Sequence, residues 1–244
     1  MPLRCLLLAL WLPLAGIAAG QPPSMVLIID DLGDQAAAGS RVARLPGPVV
    51  CSILPQTPHG RALAHSCHAR NKEVMLHLPM EAVNGADPGP GAVTLDMLPE
   101  EFRHVVRQGL AEIPHVGAVN NHMGSLLTQA PAPMGWLMEE LVRDARDLAF
   151  VDSRTSTRTV AYRIAREHGV PAVSRDVFLD HDREPDSIRR QFMRLLDMAR
   201  REGVAVGIGH PYPETLAVLE DELPDLEAAH GVRLVSLREL LRRD

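Results

Sequence analysis

Aromatic residues are scarce in this chain of 244 residues, which has four Phe, two Tyr and two Trp, or 3% of the sequence. So few rings argue against a long groove in which aromatic side chains stack on a polymer. An excess of basic residues is missing as well, because 25 Lys and Arg stand against 31 Asp and Glu, for a net charge of −6. The chain lacks the positive footprint of a phosphate-backbone binder, so we expect no nucleic-acid partner.

Long apolar runs are absent except at the N-terminus. Residues 1–4 carry one positive charge, residues 5–19 are almost wholly apolar, and small residues lead up to Gly20. This pattern predicts a secretory signal peptide over residues 1–20, and the short, Pro- and Gly-interrupted run argues against the alternative, a membrane anchor. We therefore expect a mature protein without a membrane span, exported to the bacterial periplasm.

Cysteine is scarce too, because Cys5 falls in the predicted signal and only Cys51 and Cys67 follow it. An exported pair can form a disulfide in an oxidising compartment, and two separate buried thiols are the alternative. The sequence does not supply the Cα separation that a bridge requires, and we favour the two thiols. Two cysteines without CxxC spacing also argue against a thiolate zinc site.

Several catalytic signatures are also missing. No GxGxxG follows the first apolar run and there is no Walker A loop, which argues against a nucleotide cofactor. HEXXH is absent as well. Ser125 lies near His122, but without a GxSxG elbow a serine hydrolase is poorly supported.

Short apolar runs do recur along the chain, separated by amphipathic stretches. Their brevity is typical of strands buried on both faces. They cover residues 25–29, 48–54, 73–76, 116–120, 149–151, 170–173, 204–208 and 232–235. Helical spacing of apolar residues is clearest at 186–201, after Gly135 and from Pro99 onwards. The alternation predicts one α/β domain over residues 21–244, with a mostly parallel sheet that is either closed as a barrel or open and doubly wound. The Gly- and Pro-rich stretch 82–98 is predicted to be a surface loop beside a site.

Polar residues follow the predicted strands at the points where they stop. Because ligands bind at the carboxyl ends of parallel strands, these side chains are expected to converge on one cavity. They are Asp30, Asp31, His77, Asn121, His122, Asp152, Arg154, Asp176, Asp180 and His210. Carboxylates and imidazoles in such a set make a three-ligand site for zinc or a similar metal, with a position open for water.

Each member of this set also has a simpler explanation. Asp31 or Asp34 could cap a helix that follows Gly33, and a single histidine after a strand is more often a hydrogen-bonded rim residue than a ligand. Eight histidines are assigned that simpler role. They are His59, His65, His68, His104, His115, His168, His181 and His230.

Six blocks of sequence together resemble the divergent polysaccharide deacetylase family. They are IIDDLG at 28–33, EVMLHLPME at 73–81, AVNNHMGS at 118–125, FVDSRT at 150–155, SRDVFLD at 174–180 and GIGHP at 207–211. The resemblance covers essentially the whole mature chain in order. It implies a distorted (β/α) barrel of about seven or eight mostly parallel strands, related to the metal-dependent carbohydrate esterases that remove N-acetyl groups.

The resemblance also implies roles for individual residues. In those esterases the first carboxylate of an Asp-Asp pair is the general base and the second binds the metal, which makes Asp30 the base and Asp31 a ligand. His77 matches the first ligand histidine, and His210 matches the late histidine that protonates the leaving amine.

One position departs from the esterase pattern, because Glu81 stands where the second ligand histidine usually is. His122, from the next strand, is then the expected third ligand. The resemblance leaves supporting roles to the remaining strand-end residues. Asp152, Arg154, Asp176 and Asp180 would orient the imidazoles, while Asn121 would contact substrate or brace the metal loop.

The sequence thus predicts a hydrolase with a divalent metal, zinc by preference, acting on a short N-acetylated glycan or peptidoglycan fragment. Two alternatives stay open. One is a protein that keeps the fold and metal but binds a glycan or envelope partner without turnover. The other is a metal-dependent hydrolase with a substrate other than a carbohydrate.

Overall fold

The computed structural model describes residues 22–242, so the predicted signal peptide and Cys5 lie outside the described residues. Strands and helices alternate along this part of the chain. The strands are β1 Ser24–Leu32, β2 Val50–Ile53, β3 Val74–Met80, β4 Val116–Met123, β5 Ala149–Asp152, β6 Ala172–Ser174, β7 Val177–Phe178, β8 Val204–Gly209 and β9 Arg233–Leu234. The helices are α1 Ala36–Arg44, α2 Gly60–His68, α3 Pro99–Glu112, α4 Pro131–Arg143, α5 Ala161–Glu167, α6 Pro185–Glu202, α7 Pro213–Glu222, α8 Leu226–His230 and α9 Leu237–Leu241.

The strands form one parallel sheet with the order β6-β5-β4-β3-β2-β1-β8-β7, and β9 pairs with β1. The sheet curls into a half-barrel with helices around it, which confirms the predicted distorted (β/α) barrel. Each of the eight predicted strands is present. β7 was not predicted, because two residues are too few to form a recognisable apolar run.

Several strand ends differ from the prediction. β1 continues through the Asp30-Asp31 pair to Leu32, β3 continues past His77 to Met80, and β4 runs on to Met123. The polar residues at these positions predict strand ends, but the ladder hydrogen bonds of neighbouring strands extend beyond them. Most of the candidate residues therefore lie within strands, where the backbone fixes the direction of each side chain.

All three predicted helices are present. α3 begins at Pro99 as expected, and α6 matches the stretch 186–201. α4 starts at Pro131 and ends at Arg143, earlier at both ends than its apolar spacing indicates. The capping explanation for the aspartates is wrong, because α1 begins at Ala36 and no side chain caps it. None of the helices in residues 22–242 has the length and apolar character needed to cross a bilayer.

The sheet separates two apolar layers. Along β1 as far as Ile29, odd-numbered residues such as Leu27 face the surrounding helices, and even-numbered ones face the inside of the barrel. The inner layer includes Val26, Ile28, Val50, Met75, Ala118, Val151, Val206 and Ile208, together with Leu237 and Leu240 of α9. Glu73, just before β3, accepts the backbone N–H groups of Leu237 and Arg238, so α9 lies at the amino ends of the strands. The opposite, carboxyl end is left for a site.

Cys51 and Cys67 form a disulfide between β2 and α2, so the expectation of two separate thiols is wrong. Cys51 is on the helix-facing side of β2, and Cys67 lies on the face of α2 that packs against the sheet. Their Cα atoms are 6.6 Å apart, within the range that a disulfide spans. The bond closes a short local connection on the outside of the barrel.

Candidate metal centre

Alternation along the strands places a ring of polar side chains above the inner apolar layer. Two residues after Ile28 comes Asp30, two after Met75 comes His77, and two after Ile208 comes His210. Ala118 is followed at the same spacing by Asn120 and His122, and Val50 by Ser52. Each of these polar residues therefore continues the inner face of its strand towards the carboxyl end. The physical basis of the site is this change from apolar to polar along the barrel interior.

Asp31 is the exception to the alternation, because a regular strand would direct it to the helix side. Its φ of 55° lies in the left-handed region, and the pairing of β1 with β2 shifts register between Ile29 and Leu32. Such a bulge changes the direction of a side chain and is common beside active sites. As a result, the carboxylates of Asp30 and Asp31 both reach the same cavity, although the residues are adjacent.

Three side chains converge at this point with their ligand atoms in contact. Asp31 Oδ1 is 3.1 Å from His77 Nε2 and 2.9 Å from His122 Nδ1, and the two imidazole nitrogens are 3.1 Å apart. They are the one group of His, Cys, Asp or Glu within residues 22–242 whose ligand atoms meet closely enough to hold a metal ion.

The donor atoms fit a divalent cation. Ligands bound at 2.0–2.1 Å in a tetrahedral site are about 3.3 Å apart, close to the separations observed here. Asp31 Oδ1 is buried and accepts no well-aligned hydrogen bond from the described residues. An anionic oxygen left in this way between two imidazoles is an unsatisfied acceptor, which a cation would satisfy.

The electrostatics of these three side chains also favour a bound cation. Burial by itself would raise the pKa of Asp31, but the nearby His122, His77 and His210 hold it well below its usual range. Burial would likewise lower the pKa of His77, but Asp30 and Asp31 raise it above its ordinary value. The negative potential that favours a proton at His77 is the same potential that would favour a metal ion.

Asn120 is fully buried and forms hydrogen bonds with both His77 and Asp30. Its amide Nδ2 donates to Asp30 Oδ1 at 2.8 Å, and its Oδ1 lies 2.7 Å from His77 Nδ1. Ser52 Oγ also donates to Asn120 Oδ1, at 2.9 Å. Asn120 and Ser52 were missed from sequence. Because Asn120 is two residues before His122, strand alternation could have identified it, whereas Asn121 was chosen.

Asn121 faces the other side of β4. Its Nδ2 donates to the carbonyl of Met123, and its Oδ1 accepts from the backbone N–H of Ser153. Of the two predicted alternatives, substrate contact and bracing, these bonds match the bracing of the loop after His122. Met123 has a φ of 52°, a strained conformation for a non-glycine residue, at the point where the chain leaves the site.

His210 and Asp180 form a second group beside the metal centre. His210 Nδ1 lies 2.9 Å from Asp180 Oδ1, while Asp180 Oδ2 accepts from the backbone N–H of His210 and from Thr215 Oγ1. This holds the ring with its Nε2 3.7 Å from Asp31 Oδ2. Burial favours the neutral ring, but Asp180 and the carboxylates of the site raise the pKa of His210 to about 9. His210 is therefore positioned as a proton donor.

The other predicted residues lie further from the imidazoles. Asp152 accepts from the backbone N–H groups of Arg154 and Tyr162 and from the hydroxyl of Thr159, so it organises the start of α5. Asp176 accepts from the backbone N–H of Val206, and burial raises its pKa.

The side chain of Arg154 is exposed, and its backbone is in the left-handed region with φ 49°. Within residues 22–242, the hydrogen bonds of Asp152, Arg154 and Asp176 go to groups other than the imidazoles of the site. Their predicted role in orienting those rings stays a prediction.

Two residues singled out by sequence have structural contacts instead. Glu81, at the position of the missing ligand histidine, accepts from the backbone N–H of Leu95 and so ties the loop 82–98 back onto β3. Ser125 Oγ accepts from the backbone N–H of Val83, in the same loop. The loop therefore lies at the carboxyl end of β3, beside the site, as predicted.

Comparison of the sequence with known proteins gives one matching family and two related proteins. The divergent polysaccharide deacetylase family matches residues 27–241. The uncharacterized protein YibQ of Escherichia coli K12 is 34% identical over 89% of this chain and 67% of its own length. An uncharacterized protein of Haemophilus influenzae is 32% identical over 90% of this chain and 77% of its own length.

Solved structures share the fold. The uncharacterized protein ATU2773 of Agrobacterium tumefaciens superposes with a TM-score of 0.85 at 20% identity, covering 91% of each chain. A lactam utilization protein of Thermus thermophilus superposes with a TM-score of 0.61 at 16% identity, over 88% of this chain and the whole of the other. With the family match extending over nearly all described residues, the chain belongs to the divergent polysaccharide deacetylase family.

Proposed function

We propose that this protein is a metal-dependent hydrolase that removes N-acetyl groups from a short glycan of the bacterial envelope. The observation that carries the proposal is the convergence of Asp31, His77 and His122 on one buried, unsatisfied carboxylate oxygen. Membership of the deacetylase family supports the reaction class and a carbohydrate substrate. The residues around the cluster support the acid–base chemistry.

Asp31, His77 and His122 would hold the metal. Two imidazoles and one carboxylate are the donor set of several catalytic zinc sites, which favours zinc over magnesium or calcium. When bound, the ion supplies Lewis-acid polarisation of the acetyl carbonyl and makes water more acidic. The three ligands come from β1, β3 and β4, so the sheet holds their separation.

Asp30 and His210 would carry the proton transfers. Asp30 lies at the inner face of β1, next to Asp31, and would accept the proton of the attacking water. His210, directly after β8, would protonate the departing amine, and its raised pKa keeps it protonated at neutral pH. Asp180 holds the ring through Nδ1, which leaves Nε2 directed to the site. Asp30 and His210 follow the paired residues Ile29 and Gly209 of the neighbouring strands β1 and β8.

A short glycan fits the surroundings better than a long polymer. Trp136 is partly buried and packs edge-to-face on Phe102, away from the site. The aromatic rings in contact with His210 are Phe178 and Tyr212, at centroid distances of 5.1 and 5.5 Å. Two rings would stack on at most one or two sugar units, and each already has a guanidinium against it, Arg175 on Phe178 and Arg183 on Tyr212. Export to the periplasm is supported by the pattern of residues 1–20 and by the disulfide, which is typical of oxidising compartments.

The experiment measures bound metal and acetate release with the purified protein. Wild-type protein is expected to hold one zinc per chain and to release acetate from N-acetylated oligosaccharides. His77→Ala and His122→Ala should lose both, while the exposed His104→Ala, as control, should keep both. Asp30→Asn should keep the metal and lose at least about 10²-fold in rate.

Three results would change this conclusion. Stoichiometric zinc in both ligand variants would refute the ligand set, and unchanged acetate release by Asp30→Asn would refute its role as the base. Zinc binding without acetate release from any glycan would favour a glycan-binding protein that has kept the fold and the metal.

A further inference from the structure

We propose that Asn120 is a positioning residue that joins the general base to the metal centre and fixes the tautomer of His77. The inference rests on the proposed function and extends it to a residue that contacts neither metal nor substrate. It is carried by the three hydrogen bonds of one fully buried amide.

The orientation of the amide follows from its partners. The carboxylate of Asp30 can only accept, so the atom of Asn120 that faces it at 2.8 Å must be the NH₂ group. The carbonyl oxygen then faces Ser52 Oγ and His77 Nδ1, both of which must donate to it. No other arrangement of this amide satisfies all three neighbours.

This arrangement determines which nitrogen of His77 is available as a ligand. Because Nδ1 carries the proton donated to Asn120, Nε2 of the neutral ring has the lone pair. Nε2 is the nitrogen that lies 3.1 Å from Asp31 Oδ1 and 3.1 Å from His122 Nδ1. Hydrogen bonds from the distal nitrogen of a ligand histidine commonly orient the ring and strengthen its binding.

Asn120 also keeps His77 apart from the base. His77 Nδ1 is only 3.6 Å from Asp30 Oδ1, and the amide occupies the space in which the two would otherwise pair directly. The amide anchors the carboxylate of Asp30 with one hydrogen bond and brings no charge of its own to the base. One side chain thus aims the base and the ligand while preventing them from binding each other.

The test compares Asn120→Asp, Asn120→Ala and Ser52→Ala with the wild type and with the exposed Asn71→Asp as a matched control. Zinc affinity is measured by competition with a chelator, and the tautomer of His77 by ¹⁵N NMR of the metal-free protein. Asn120→Asp preserves shape but replaces the donor facing Asp30 with a second carboxylate, which repels it. In Asn120→Ala, zinc affinity should fall about 10- to 100-fold, and acetate release with it. Asn120→Asp keeps an acceptor for His77 Nδ1, so it should keep its zinc and lose acetate release through the repelled base.

Ser52→Ala should have a smaller effect, because the amide keeps its bonds to Asp30 and His77, and Asn71→Asp should have none. A folded Asn120→Ala with wild-type zinc affinity and an unchanged His77 tautomer would overturn the proposal, as would wild-type acetate release by Asn120→Asp. Should those variants fail to fold, the wild type decides at a pH where the His77 ring is neutral, because a neutral ring with its proton on Nε2 instead of Nδ1 contradicts the argument. A wild type that binds no zinc would refute the proposed function instead, and the tautomer would still test the role of Asn120.

Discussion

The disulfide between Cys51 and Cys67 has a stability effect that can be calculated from the chain it closes. The two residues are separated by 16 positions, and the loss of unfolded-state entropy for a loop of this size corresponds to about 3 kcal/mol at 25 °C. The free energy of unfolding of a domain is typically about 5–15 kcal/mol, so the disulfide contributes a large fraction of that stability. For a chain of this length we expect reduction to lower Tm by about 6–12 °C.

The assay is urea unfolding followed by circular dichroism, with and without reductant. Reduction leaves every side chain in place and removes only the covalent link, so the change isolates the effect of the bond. Cys51→Ala/Cys67→Ala provides a second route to the same state and adds a small packing loss, since both residues are fully buried. The oxidised protein should also show the lower slope with urea, because its unfolded chain is more compact.

Two results would refute this reasoning. A difference below about 1 kcal/mol between oxidised and reduced protein would mean that the loop is already constrained in the unfolded chain. Sensitivity to reductant that persists in the double variant would mean that the effect does not come from this pair.

Two further predictions concern the site and the turn beside it. Asp180→Asn should reduce acetate release at least about 10²-fold without loss of bound zinc, because an amide cannot accept all three of the hydrogen bonds that Asp180 accepts beside His210. The exposed Asp34→Asn is the control. Equal rates for the two variants would contradict the role of Asp180 in holding His210. Gly124→Ala should cost about 2–3 kcal/mol of unfolding free energy, because its φ is +81° and a Cβ would lie 3.0 Å from that of Met80. Gly85→Ala has a similar φ of +67° with no atom within 4 Å and should cost about 1 kcal/mol, so equal losses in urea unfolding would argue against the contact.

Most of the strands were predictable from sequence because they are apolar runs buried on both faces. That signal does not depend on neighbours far along the chain, and all eight predicted runs are strands. Their ends were less predictable. A polar residue such as His77 looks like a strand end, but β3 continues because its ladder with β4 extends to Met80. The disulfide was not predictable, because the Cα separation of Cys51 and Cys67 is a property of the packed fold.

The candidate site was predictable in part from residue type and position. His77 and His122 lie on the inner face of their strands near the carboxyl end, and His210 directly follows β8. The structure brings His77 and His122 into one cluster with Asp31. Asn120 was missed because an asparagine carries no signal of its own. Its importance comes from the neighbours that its amide meets, Asp30 and Ser52, which are 90 and 68 positions away along the chain.

The adjacent pair Asp30-Asp31 shows why pattern alone does not produce this centre. Strand periodicity accounts for Asp30, which continues the inner face of Val26 and Ile28, but the same periodicity directs Asp31 outward. Only the bulge and the left-handed backbone at Asp31 bring the second carboxylate round, at a conformational cost of about 1–2 kcal/mol for a non-glycine residue. Aspartate tolerates that conformation better than most residues, so the side chain that can serve as a ligand is also one that can occupy the bulge. A base and a ligand can therefore come from consecutive residues of one strand, which places them next to each other without a second loop.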